Sequence, residues 1–111
     1  MKKILLSTLL ILATSLGLPP AAHAGNSGSA NIVKFSIEPK RVVVFVDTST
    51  NGCSGTVNRD RWNLTTDHEN YEAMFKALLA AKLSGTKVYL VGRAHACSTG
   101  GEIIHYMYFD S

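Results

Sequence analysis

Apolar residues along this chain follow two rhythms after an initial block. Ile4 to Leu18 is apolar apart from small and hydroxyl residues, and it carries no charge. From Val33 the pattern alternates. Val33, Phe35 and Ile37 fall on one side, and Lys34, Ser36 and Glu38 on the other, which predicts a half-buried strand with those three apolar residues inward. Pro39-Lys40 permits a turn. Arg41 to Asp47 (RVVVFVD) is β-branched and aromatic, as suits a strand buried on both faces. Thr48 to Gly55 is turn-rich. A short strand within Val57 to Leu64 is expected to carry Trp62 and Leu64 inward.

The rhythm then changes to a helical one. Thr66-Asp67-His68-Glu69 fits a capping box, with Thr66 bonding the first free amides and Glu69 reaching back. Tyr71, Phe75, Leu78 and Lys82 share a stripe, flanked by Met74, Leu79 and Leu83. A helix over Tyr71 to Leu83 follows, with Tyr71, Phe75, Leu78 and Leu79 facing the core and Gly85 as its stop. Lys87 to Gly92 reads as a strand, Ser98 to Gly101 as a turn, and Glu102 to Phe109 (EIIHYMYF) as the last strand. In that strand Ile104, Tyr106 and Tyr108 alternate with Ile103, His105, Met107 and Phe109.

Three strands, one helix and two strands make a mainly β chain. The arrangement suits a five-stranded OB-fold-like antiparallel barrel with its helix between the third and fourth strands. A two-layer sheet with the helix on one face satisfies the same periodicity.

The initial block changes how the rest is read. Lys2 and Lys3, the apolar run, Pro19-Pro20 and the small-x-small triplet Ala22-His23-Ala24 make residues 1–24 a secretory signal peptide, cleaved before Gly25. The run is shorter than the roughly 20 residues that span a bilayer, so no membrane insertion is expected after processing. Residues 25–31 are Gly, Asn, Ser and Ala and read as a loose N-terminal arm. Residues 32–111 form one small domain. Setting Lys2 and Lys3 aside lowers the net charge from +3 to near +1, which gives no ground for nucleic-acid binding. A periplasmic or extracellular location is the consequence.

Export also bears on Cys53 and Cys97, the only cysteines. In an oxidising compartment they are expected to pair, and closing a loop of about 45 residues stabilises by roughly 4 kcal/mol in the chain-entropy model. The competing reading is a reactive thiol at Cys97 served by His95.

Candidate chemistry is sparse. His68, His95 and His105 lack metal-ligand spacing, and neither a phosphate loop nor a paired-carboxylate motif is present, so no cofactor, metal or catalytic residue is implied. Ser54 or Ser98, served by His95 and Asp47, is the nearest approach to a nucleophile, without the local sequence of a nucleophile elbow. Asn63-Leu64-Thr65 matches a glycosylation acceptor by coincidence. Trp62 and the tyrosines at 71, 89, 106 and 108 have faces that stack on sugars or bases, but their periodic positions place most of them in the core or at a subunit contact. The loop from Asp47 through Thr48, Ser49, Thr50 and Asn51 to Gly52 is rich in hydroxyls and amides, which suit sugar hydroxyls and equally an ordinary turn.

The stretch YEAMFKALLAAKLSGTKV beginning at Tyr71, followed by a strand, Cys97 and a last strand, resembles small exported bacterial proteins whose helix ends in LLAAK-x-SG-x-x-V. Trp62-Asn63-Leu64 and Cys53 fit the same outline. That group is similar to the binding subunits of subtilase-type and pertussis-type AB5 toxins. The resemblance implies an OB-fold, a ring of five copies, binding of sialylated glycans and no catalytic residue. A glycan or protein ligand is the implied partner. The sugar-contacting serine of the subtilase-type subunit has Ser29 as its nearest counterpart. Expected contacts are Ser29 and Asn31 near the first strand, and Asp47, Thr48, Ser49 and Asn51 before Cys53. The alternative is a periplasmic structural, interaction or inhibitor protein that uses the same scaffold and binds no sugar.

Overall fold

A computed structural model describes residues 25–53, 59–98 and 101–110. The signal-peptide expectation over residues 1–24 lies outside them, as do Ser54, Gly55 and Val57 and the side chain of His95. The elements are β1 (Ile32–Glu38), β2 (Arg41–Val46), β3 (Arg61–Thr65), α1 (Tyr71–Ser84), β4 (Val88–Ser98) and β5 (Gly101–Phe109). The protein is therefore mainly β with one helix. None of the helices among the described residues is long and apolar enough to cross a membrane.

The strands form one sheet in the order β1-β2-β3-β5-β4. β1, β2 and β3 pair antiparallel, and so do β4 and β5. β3 and β5 instead run parallel, through Trp62 opposite Glu102 and Asn63 opposite Ile103. The chain leaves β3, crosses through α1 and returns along β4, so β5 comes back in the direction of β3. A wholly antiparallel arrangement is thus corrected to a mixed sheet.

The arm over residues 25–31, expected to be loose, is laid along β4. Asn26 bridges Val91 and Ala30 bridges Val88. The Ser27 amide donates to Leu90 O at 2.8 Å, the Leu90 amide donates to Ser27 Oγ at 2.8 Å, and Val88 and Ala30 exchange both backbone bonds. Its polar composition supplies backbone and hydroxyl groups to an otherwise open strand edge.

The core lies between the inward rows of the sheet and α1. Val42, Val44, Trp62, Leu64, Leu78, Val88, Leu90 and Ile104 are almost wholly buried. Each such side chain contributes about 1.5–3 kcal/mol by leaving water. β2 is covered on both faces as its composition required: Val43 is buried opposite to Val42 and Val44, and outward Phe45 lies under Lys34 Nζ at 4.7 Å and Arg61 Cζ at 4.8 Å.

Two bulges reset the expected faces. In β1 the register slips between Ile32 and Lys34, so Ile32 is buried and Val33 turns out to solvent. Ile37 lies near the strand's end, past the core, and is 69% exposed. In β5 the register slips where Val91 faces Tyr106 and Gly92 faces Ile104, leaving His105 as the extra residue. Glu102 and Ile104 point inward before that slip, and Met107 packs against the core after it. Tyr106 and Tyr108 therefore emerge on the outer face rather than beside Ile104.

The helix spans its expected range, and of its four expected core-facing residues only Leu79 turns outward. Met74, Leu78 and Ala81 are buried, with Tyr71 and Phe75 half-buried, whereas Leu79 and Leu83 are exposed. Phe75 packs edge-on to Phe35 at 6.0 Å. Gly85 ends α1 with a left-handed φ of 71°, a conformation glycine adopts freely. The capping box does not form. Thr66 donates from both its amide (3.0 Å) and its Oγ1 (3.2 Å) to Lys40 O in the β1–β2 turn. Asn70 occupies the cap position without a side-chain bond.

Candidate functional site

The six residues expected to contact a ligand do gather in one region, where the arm crosses the end of β2. Most are already engaged. Asp47 accepts from the Asn31 amide at 2.8 Å and from Asn31 Nδ2 at 3.0 Å, and its own amide donates to Asn31 O at 3.1 Å. The two Asn31 donors, side chain first, hold the Asp47 carboxyl below its usual range. Thr48 Oγ1 donates to Ser27 O at 2.8 Å, and Thr50 Oγ1 to Asn26 O at 2.5 Å. Asn51 is buried: its Nδ2 donates to Arg61 O at 2.8 Å and its Oδ1 accepts from the Cys53 amide at 3.0 Å. Ser29 and Ser49 are exposed at the margin of this cluster. The loop is thus a clamp on the arm, with Asp47, Thr48, Thr50 and Asn51 bonded within the chain.

Cys53 and Cys97 form the expected disulfide, with Cα atoms 5.7 Å apart. It ties this loop to the far end of β4 and removes the reactive-thiol reading of Cys97. Of the serine reading, Ser54 and the side chain of His95 lie outside the described residues. Ser98 Oγ accepts from Asn63 Nδ2, and Asp47 is held by Asn31. Asn63 itself is buried, so the glycosylation pattern presents no acceptor to solvent.

A second surface lies on the outer face of β4 and β5. Tyr89 of β4 and Tyr108 of β5 stack with ring centroids 4.9 Å apart and planes 8° from parallel. Tyr106 stands one position along the same outer row, with His105 against it at 5.5 Å. Tyr106 and Tyr108 are 50% and 47% exposed, so of the two places expected for them, core or subunit contact, the core is ruled out. Partial desolvation, with neighbouring Tyr89 and Asp110, pushes the Tyr108 hydroxyl above its ordinary pKa, so it remains a neutral donor and acceptor. Trp62, in contrast, is wholly buried as expected.

Behind this row, between α1 and β5, lies an open cleft of about 380 Å³. Ala73, Met74, Ala77, Met107 and Phe109 supply apolar walls, and His68, Asn70 and His105 supply polar ones. The small alanines keep the helix surface low. His68 sets the rim: its Nδ1 accepts from the Asn70 amide at 3.0 Å while Nε2 meets His105 O at 2.8 Å. The two contacts fix the orientation of the ring. His68, part of the expected capping box, is the link between helix start and last strand. No local signal announced it, because its partner lies far along the chain.

Among the described residues no group of three or more His, Cys, Asp or Glu side chains gathers to hold a metal ion. What the surface offers is stacking, hydrogen bonding and apolar contact. Comparison of the chain with protein-family models, with curated proteins and with solved structures found no match, so the functional reading rests on these residues themselves.

Proposed function

We propose that this protein is an exported, non-catalytic binding module that takes a glycan on the outer face of β4 and β5. The observation that carries this reading is the row formed by exposed Tyr106 and Tyr108 with half-buried Tyr89 stacked on Tyr108, on the paired strands β4 and β5. Aromatic faces with hydroxyl tips present apolar area and hydrogen bonds together, the combination a sugar ring needs. An OB-type barrel is the proposed scaffold. Its support is the order β1-β2-β3-β5-β4, the parallel β3–β5 pair, and an arm that leads into β1 while bridging β4 at the opposite edge. Export is supported by the signal-like residues 1–24 and by the disulfide. A ring of five, as in the toxin subunits the sequence resembles, multiplies weak sites into avidity.

The test is a glycan array with the processed protein, followed by Tyr106→Ala and Tyr108→Ala. Binding by wild type that both variants lose supports the reading. Binding that both retain moves the site off this face, and silence on the array removes the glycan. The helix–β5 cleft favours a second reading, an interaction protein that seats an apolar side chain of a protein partner between α1 and β5.

A further inference from the structure

Glu102 is the one buried carboxylate among the described residues, 1% exposed, in the inward row of β5 opposite Trp62 and Cys97. Its Oε2 accepts from the Gly25 N at 2.9 Å, and its Oε1 accepts from the Gly52 N–H. No lysine, arginine or histidine among the described residues forms an ion pair with it. A charge at this depth is costly unless a cation meets it.

The surroundings are shaped for a particular visitor. A Cβ on Gly92 would sit 1.6 Å from Glu102 Oε2, so only glycine there leaves room for the carboxylate. A Cβ on Gly25 would sit 2.1 Å from the Gly52 N and 2.5 Å from Glu102 Oε1. Gly25 is thus held in a slot that admits backbone alone. Its carbonyl is gripped as well, accepting from the Gly92 amide at 2.9 Å. The slot begins at the residue that follows the small-x-small triplet Ala22-His23-Ala24.

We propose that Glu102 is a receptor for the α-ammonium of Gly25, created when the leader is cleaved after Ala24, and that processing thereby completes the fold. Hydrolysis breaks the Ala24–Gly25 amide. Water gives its oxygen to the departing Ala24 carboxylate, and the Gly25 nitrogen gains protons to become a cation already within hydrogen-bond distance of Glu102. Before cleavage the same atom is a neutral amide with one hydrogen. The inference rests on the export reading and extends it, from where the leader ends to what its removal does.

The test uses the protein recovered after export. Intact mass establishes whether it starts at Gly25. The α-amine is then titrated by its rate of acetylation against pH. An N-terminal amine ordinarily titrates at roughly 7.7–8.0. Pairing with buried Glu102 is expected to raise that midpoint by about one unit and to slow acetylation at pH 8 about fivefold, with Glu102→Gln returning both towards the ordinary values. A chain refolded with one extra alanine ahead of Gly25 should unfold at lower urea than the native one, which keeps the test alive if Glu102→Gln does not fold. A mass starting at Gly25 with an ordinary α-amine, or equal urea midpoints for native and extended chains, overturns the inference and leaves export standing. A mass that retains the leader, or starts elsewhere, overturns the export reading and the inference with it.

Discussion

The clamp around the arm and the outer face of β4–β5 are opposites in how they use polar and apolar groups. In the clamp, Asn31, Asp47, Thr48, Thr50 and Asn51 bond to chain segments roughly ten to twenty-five residues away, and the disulfide closes the same region. On the outer face of β4–β5, Tyr106 and Tyr108 are about half exposed, beside a cleft with apolar walls. A polar loop is therefore not a binding loop when its donors and acceptors are satisfied within the chain. An aromatic strand is not core when a bulge turns it outward. The clamp holds the fold shut, and the tyrosine face has surface left for something else.

Removing the disulfide strikes the clamp hardest. Cys53→Ser with Cys97→Ser should lower stability by about 4 kcal/mol, since the bridge closes a separation of 44 residues. Urea unfolding under non-reducing conditions measures it. A loss under about 1 kcal/mol would mean that side-chain bonds alone hold the clamp.

The next effect locates the helix between the two regions. Leu78→Ala, beneath α1, should cost about 3 kcal/mol, while Leu79→Ala, on its exposed side, should stay within about 0.5 kcal/mol. Equal losses in the two would place the core-facing stripe where the sequence pattern alone had it.

Asp47→Asn should cost about 1 kcal/mol, small because the site is exposed. Its pH dependence carries the sign. The folded pKa of Asp47 lies below its unfolded value, so the stability it contributes is present above the ordinary carboxylate range. That stability is lost as pH falls through the depressed folded value. The gap between wild type and variant in urea midpoint should therefore close on going from about pH 6 to pH 3. A constant gap would show that the Asn31 contact does not depend on the charge. If Asp47 bound ligand instead, the variant would lose binding at unchanged melting temperature.

The smallest effect on stability belongs to the tyrosine face. Tyr106→Ala should shift the melting temperature little, equivalent to about 0.5 kcal/mol, while removing most glycan binding. A large loss of stability with unchanged binding would make the face part of the fold and the contrast between the regions false.

The strands, the helix over Tyr71–Ser84 with its Gly85 stop, and the pairing of Cys53 with Cys97 were all legible in the sequence. Period, propensity and a count of two cysteines are local or combinatorial facts, and they need no knowledge of neighbours. The inward side of Trp62 and Leu64 was legible for the same reason. What the chain's own pattern left open was decided by partners far away. The bulges that turned Val33, Tyr106 and Tyr108 outward arise from the register of two strands, and a register belongs to the pair rather than to either sequence. Thr66 abandoned the helix cap because Lys40 O came within reach of it. The arm became ordered because the edge of β4 had unpaired groups to satisfy. Glu102, which in sequence opens an ordinary strand, became a buried charge because Gly25, Gly52 and Gly92 left the space for it. Local periodicity sets which residues form an element, and only long-range packing and hydrogen bonding set which side of it is wet.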